Sequence, residues 1–140
     1  MKTSENEKWV RVALEEGRRG IGLTAPNPPV GAVVVKDGIE IARGWHHKAG
    51  SLHAEKDALS KLRGDEARGA TIYVTLEPCS TYGQTGACTE ALISAGVAKV
   101  VYGARDPNPS HGGGADKILE TAGIKVVAGV LEEECEELIR

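Results

Sequence analysis

The residues with the clearest chemical potential are one histidine, one glutamate and two cysteines: His53, Glu55, Cys79 and Cys88. One imidazole and two thiolates suit Zn²⁺, which takes nitrogen and sulfur ligands in a tetrahedral arrangement. Three protein ligands leave the fourth position to water, and zinc lowers the pKa of such a water towards neutrality. The set therefore predicts a catalytic zinc site.

Glu55 follows His53 by two residues, which is too close for a second ligand on the same helical turn. Its carboxylate is expected instead to face the water and to transfer its proton. His-x-Glu followed by Pro-Cys and a second Cys is typical of zinc-dependent hydrolytic deaminases. The order predicts Zn²⁺ as cofactor, with His53, Cys79 and Cys88 as ligands and Glu55 as the catalytic residue.

Each motif alone has a simpler explanation. A surface helix can begin with His-Ala-Glu, and buried free cysteines are common. A disulfide is disfavoured because the first eight residues lack the apolar run of a secretion signal. A structural zinc would need a fourth protein ligand, for which the chain offers His46, His47 or His111.

The elements that must position these residues alternate between strands and helices. Asp37-Gly38 separates two β-branched runs, which predicts a hairpin. After Ala70 each strand is separated from the next by a helix, which predicts parallel pairing. The pattern indicates one α/β domain spanning residues 1–140, with strands at 30–36, 39–45, 70–76, 97–103 and 124–128 and helices at 5–19, 53–62, 89–95, 115–122 and 131–140.

Composition excludes several classes of function. A net charge of -3 gives no basic surface for duplex binding, and the chain contains no Phe that could stack on single-stranded bases. No run approaches the ~20 apolar residues that span a bilayer. We therefore expect a cytoplasmic protein that binds a small molecule and neither nucleic acid nor membrane.

Several longer motifs resemble one family over nearly the whole chain. The chain is similar to the deaminase domain of the bacterial bifunctional riboflavin-biosynthesis deaminase/reductase, in the cytidine deaminase-like superfamily. The eight residues between Cys79 and Cys88 are specific, because many deaminases of this superfamily place only two there. The matching stretches are 26–33 (PNPPVGAV), 44–55 (GWHHKAGSLHAE), 73–80 (YVTLEPCS), 91–96 (ALISAG), 106–109 (DPNP), 112–114 and 122–124.

The resemblance implies a three-layer α/β/α sandwich around a mixed sheet of about five strands. It also implies a hydrolase acting on the C–N bond of a cyclic amidine. In this family, 2,5-diamino-6-ribosylamino-4(3H)-pyrimidinone 5′-phosphate loses its 2-amino group to give 5-amino-6-ribosylamino-2,4(1H,3H)-pyrimidinedione 5′-phosphate in riboflavin biosynthesis. The family is dimeric or tetrameric, so the resemblance implies a homodimer or homotetramer.

Four residues match the positions that line the family's substrate site: Asn27, His46, Asp106 and Asn108. Amide and carboxylate groups can read the polar edge of a pyrimidine through paired hydrogen bonds. The alternative is that Asn27 is only a turn residue between prolines and that the Asp-Pro-Asn-Pro stretch only forms a loop, since both compositions are typical of turns and loops.

The loop between the two cysteines departs from the family pattern. The family carries a basic residue where this chain has Gln84, and both prolines before the second cysteine are absent. A charge-assisted bond to phosphate typically contributes ~1.5–3 kcal/mol, whereas glutamine supplies a neutral one. We therefore expect Gln84 in the substrate site, retained ring chemistry and weakened phosphate recognition.

The same departure leaves two rivals open. One is deamination of another amino-heterocycle, such as a free base, a nucleoside or a pterin-like ring, and the other is a non-catalytic zinc-binding protein. The chain also has no nucleotide-binding glycine motif, so no reductase domain is expected within it. A reductase step in the riboflavin pathway would require a separate protein.

Overall fold

The computed structural model describes residues 2–25, 27–48, 51–79, 88–105 and 114–139, with side chains from residue 5 onwards. The strands are β1 (Gly31–Lys36), β2 (Ile39–Trp45), β3 (Thr71–Leu76), β4 (Lys99–Ala104) and β5 (Lys125–Val127). The helices are α1 (Lys2–Gly17), α2 (Ala54–Ser60), α3 (Cys88–Ala95), α4 (Gly114–Thr121) and α5 (Glu132–Leu138), and a 3₁₀ turn (Arg18–Gly20) follows α1.

These strands form one five-stranded mixed sheet in the order β2-β1-β3-β4-β5. β1 pairs antiparallel with both β2 and β3, and β3, β4 and β5 are mutually parallel. The turn between β1 and β2 has positive φ at Asp37 and Gly38, 53° and 77°. A two-residue hairpin with a type I′ turn requires positive φ at both central residues. The predicted hairpin and the predicted parallel half are both confirmed.

Two apolar clusters, one on each face of the sheet, give the fold three layers. The first face carries α2, α3 and α4, whose Ala54, Ala58, Leu92 and Leu119 are fully buried against it. The other face carries α1 and α5, and there Trp9 is buried with its ring 6.3 Å from that of Tyr73. The predicted α/β/α sandwich is therefore confirmed, and no helix in the described ranges is long and apolar enough to cross a membrane.

Helix α2 lies unusually close to strand β2 at Gly44. A Cβ atom added to Gly44 would lie 2.5 Å from the carbonyl oxygen of Ala54 and closer still to the backbone nitrogen of Ala58. Real Cβ atoms do not approach backbone that closely, so only glycine allows the helix to lie there. Because α2 begins one residue after His53, this contact sets where the histidine stands relative to the sheet.

We expect Gly44→Ala to lower the free energy of unfolding by about 1–3 kcal/mol and to lower zinc content as α2 is displaced. Gly64→Ala is the control for zinc content, because a Cβ there meets nothing within 4 Å. It should cost about 1–2 kcal/mol through left-handed backbone strain but leave zinc bound. Denaturant unfolding and metal analysis of both purified variants check the prediction. Full zinc content with unaltered stability in Gly44→Ala would contradict it.

Candidate metal centre

The three predicted zinc ligands come from separate parts of the fold that meet at one end of the sheet. His53 is extended, with φ -66° and ψ 162°, and directly precedes α2. Cys79 lies three residues beyond the end of β3, and Cys88 is the first residue of α3. Strand β3 thus delivers one thiol, and two helix N-termini deliver the imidazole and the other thiol.

The ligand atoms of these residues all lie within 4.8 Å of one another. Nδ1 of His53 lies 3.3 Å from Sγ of Cys88 and 3.6 Å from Sγ of Cys79. Zn–N and Zn–S bonds of ordinary length at a tetrahedral angle would place nitrogen and sulfur about 3.6 Å apart. Both the donor set and its spacing therefore fit zinc.

Within the described ranges, no fourth histidine, cysteine or carboxylate joins this group. Both ring nitrogens of His46 have other partners, and Nε2 of His47 lies 3.4 Å from a carboxylate oxygen of Asp57. His111 lies outside the described residues. The described part of the chain therefore favours three protein ligands over four.

The two thiols differ sharply in acidity. The pKa of Cys79 falls to about 4, chiefly because the Cys88 thiol donates to its sulfur and His53 lies beside it. The backbone N–H of Cys88, at the start of α3, also donates to that sulfur at 3.1 Å. The pKa of Cys88 is raised by the same hydrogen bond, in which its thiol is the donor to Cys79, and by burial. Cys79 is therefore the more acidic thiol of the pair, and the start of α3 helps to stabilise its thiolate.

Glu55 lies in the first turn of α2 and is 4% exposed. The pKa of its carboxyl group is raised to about 7, chiefly by burial and then by the negative charge of Cys79. A backbone hydrogen bond, the positive charge of His53 and a hydrogen bond with Cys88 act in the opposite direction and have smaller effects. A carboxyl group with a pKa near neutrality can both accept and return a proton at neutral pH.

His46 lies beside His53, one of the three candidate metal ligands, and Asn27 lies beside His46. The ring of His46 is almost fully buried and meets that of His53 edge-to-face, with 5.3 Å between ring centroids. Its Nδ1 lies 3.0 Å from the carbonyl oxygen of Leu52, and its Nε2 lies 3.2 Å from Nδ2 of Asn27. A carbonyl only accepts and an amide NH₂ only donates, so Nδ1 carries the proton and Nε2 accepts.

Burial lowers the pKa of His46, which is consistent with the neutral ring that these two hydrogen bonds require. Asn27 is also a turn residue. Its backbone N–H donates to the backbone carbonyl oxygen of Thr24, and the Thr24 hydroxyl donates to the backbone carbonyl oxygen of Asn27. The turn and the contact with His46 therefore coexist. The turn fixes the position from which the Asn27 side chain reaches the ring.

Three predicted substrate residues, Gln84, Asp106 and Asn108, lie outside the described residues. One residue that the sequence did not single out is prominent in the structure. Asp57 lies one turn after His53 and accepts a hydrogen bond from the backbone N–H of Trp45, immediately before His46. Asp57 follows His53 by four residues, and this helical spacing was the signal in the sequence that could have placed it near the candidate site.

Residues 3–104 match the model of one protein family, the cytidine and deoxycytidylate deaminase zinc-binding region. The chain belongs to this family. Its three candidate ligands and Glu55 all lie within the matched residues.

Longer relatives resemble the whole chain. It is 48% identical over 134 residues to the Escherichia coli riboflavin biosynthesis protein RibD. The aligned residues cover 96% of the chain and 36% of that relative. The Acinetobacter baumannii RibD structure in its second form superimposes with a TM-score of 0.95 at 46% identity, covering 99% of the chain and 39% of that structure.

A Thermotoga maritima structure named diaminohydroxyphosphoribosylaminopyrimidine deaminase/5-amino-6-(5-phosphoribosylamino)uracil reductase gives a TM-score of 0.93 at 47% identity. It covers 99% of the chain and 40% of that structure. The chain thus spans about two fifths of the length of these relatives. The likeness confirms the predicted fold and the resemblance to riboflavin-biosynthesis deaminases.

Proposed function

We propose that the protein is a zinc-dependent hydrolase that deaminates 2,5-diamino-6-ribosylamino-4(3H)-pyrimidinone 5′-phosphate. The observation that carries this proposal is the buried carboxyl group of Glu55 beside His53, Cys79 and Cys88, a donor set that fits zinc with three protein ligands. The names of the RibD relatives support the riboflavin pathway, and the Thermotoga maritima name supports the aminopyrimidine substrate.

In this mechanism His53, Cys79 and Cys88 hold the zinc ion. When bound, zinc supplies a Lewis acid that makes water acidic enough to attack at neutral pH. Glu55 accepts a proton from the attacking water and passes it to a ring nitrogen. The amino group then leaves as ammonia with a proton that Glu55 helps to transfer, and a carbonyl remains at the ring carbon.

Asn27 and His46 are proposed to orient the ring for this attack. The NH₂ group of Asn27 is directed to His46, so its carbonyl oxygen is the group available to accept from a substrate amino or ring N–H. His46 is held on its other side by the carbonyl of Leu52. We expect this neutral, doubly anchored ring to hold the Asn27 amide in one orientation.

Gln84, Asp106 and Asn108 remain proposed substrate residues. Because lysine would replace a neutral contact by a charge-assisted one, Gln84→Lys is expected to lower KM for the 5′-phosphorylated substrate by about tenfold. KM for the dephosphorylated substrate should not change, which makes it the internal control. Steady-state kinetics on both compounds measure this, and an unaltered KM for the phosphorylated compound would reject weakened phosphate recognition.

The rivals make different predictions. A panel of free bases, nucleosides and pterin-like rings, assayed by ammonia release, would identify another heterocycle as the substrate. A non-catalytic zinc protein would show a fourth protein ligand in metal spectroscopy. The other proposals are that residues 1–140 fold as one domain without a reductase, in a cytoplasmic homodimer or homotetramer. A reductase outside residues 1–140 would then supply the next step.

A further inference from the structure

Near its carboxyl end, the outer edge of strand β2 is bonded by side chains of helix α2 and of the residue that follows it. Because His46 donates its backbone N–H to Val30 of the neighbouring segment, the preceding Trp45 N–H points away from β1. An unpaired N–H at a sheet edge requires a partner or water. The carboxylate of Asp57 accepts this N–H at 3.0 Å, and the Asp57 side chain is only 14% exposed.

A second side chain of the same helix region binds the same edge. Lys61 follows Asp57 by four residues, and its Nζ donates to the outward carbonyl oxygen of Arg43 at 2.6 Å. Nζ also lies 3.8 Å from the Asp57 carboxylate. Between these two bonds, Gly44 lets the backbones of β2 and α2 come into contact. We call this three-point attachment, made by Asp57, Lys61 and Gly44, the α2–β2 seam.

The seam joins the two parts of the candidate site. Helix α2 carries Glu55 and follows His53, whereas the end of β2 leads directly into His46. The bond from Asp57 lies at the end of the seam nearest to His46, and the bond from Lys61 lies at the far end, beside Arg43. Asp57 is therefore placed to hold the His46 ring in register with Glu55 and the metal ligands.

We propose that Asp57 is a positioning residue for deamination, acting through the Trp45 backbone on His46. The proposal rests on the function proposed above. Its physical basis is that a misplacement of about 1 Å in a substrate-orienting group can cost about a hundredfold in rate. The Asp57 side chain bonds neither to the candidate ligand atoms nor to Glu55 in any described bond. The backbone N–H of Asp57 donates to the carbonyl oxygen of His53, and a substituted residue keeps that bond. The effect of the side chain is therefore expected on orientation rather than on metal binding.

The test compares three variants of the zinc-loaded protein. Asp57→Ala should lower kcat/KM by about tenfold to a hundredfold while zinc content stays at the wild-type level. Asp57→Asn should stay within about threefold of wild type, because its amide oxygen can accept the same N–H. Lys61→Met, the matched control at the far end of the seam, should lower the melting temperature but leave kcat/KM unchanged.

A second readout separates positioning from general weakening of the fold. In ¹⁵N-labelled protein, the Nδ1 and Nε2 signals of His46 report its two hydrogen bonds, and they should shift in Asp57→Ala but not in Lys61→Met. If Asp57→Ala does not fold, Asp57→Ser takes its place. Unchanged His46 signals and unchanged kcat/KM in Asp57→Ala, or in Asp57→Ser where it replaces Asp57→Ala, would overturn the proposal. A loss of kcat/KM in Lys61→Met or Asp57→Asn as large as that in Asp57→Ala would also overturn it. If the wild type releases no ammonia, the proposed function fails, but the His46 signals still test the positioning.

Discussion

Replacing Glu55 by glutamine is expected to reduce kcat by about 10³-fold or more while leaving zinc bound. The isosteric amide keeps the shape of the side chain but cannot take the proton of the attacking water, and a general acid–base group typically contributes about 10²–10⁴-fold. Because Glu55 is buried, a neutral side chain there avoids the cost of burying a carboxylate, so we expect the fold to be no less stable.

Ammonia release and zinc content, measured on the same purified sample, check this result. Glu15→Gln is the matched control, because Glu15 is an exposed glutamate on α1, on the opposite face of the sheet from α2. Its activity should equal that of the wild type. Near-normal turnover in zinc-loaded Glu55→Gln would reject the role of Glu55 in proton transfer.

Removing the thiol of Cys88 is expected to abolish both zinc retention and activity. With two ligands remaining, the loss of affinity should exceed the about 10- to 100-fold that the loss of an outer hydrogen-bond partner costs. We therefore expect Cys88→Ala to be purified with little zinc and to release no ammonia at limiting metal concentration.

Cys135→Ala is the matched control for this variant. Cys135 is also fully buried, but it lies on α5, packed against Gly103 on the opposite face of the sheet. Burial raises the pKa of its thiol to about 12, so it is not a thiolate at neutral pH. Its removal should lower stability and leave zinc content intact. Stoichiometric zinc in Cys88→Ala would contradict the ligand set.

The zinc site was predictable from sequence because its chemistry is carried by residue types in a fixed order. His53 lies far from Cys79 and Cys88 along the chain. Two strand-to-helix transitions, β2 to α2 and β3 to α3, nevertheless place the three residues at the same end of the α/β sheet. The hairpin at Asp37-Gly38 was predictable for a similar reason, since positive φ at two adjacent residues strongly restricts the residue types.

The surroundings of the site were less predictable, because they depend on which elements become neighbours. The bond from Trp45 to Asp57 forms only because β2 is an edge strand and α2, packed on one face of the sheet, reaches that edge with the Asp57 side chain. The proton position on His46 follows from two partners, Leu52 and Asn27, that no local pattern brings together. Hydrophobic periodicity likewise extended α2 to residue 62, whereas the helix ends at Ser60.

The central claim is that this chain releases ammonia from an aminopyrimidine nucleotide with the help of zinc. The most direct measurement is ammonia release from 2,5-diamino-6-ribosylamino-4(3H)-pyrimidinone 5′-phosphate by one protein sample, before chelation, after chelation and after zinc is restored. We predict turnover that is lost with the metal and recovered in proportion to the zinc added. Ammonia release that is absent throughout, or that is unchanged by complete removal of zinc, would contradict the claim.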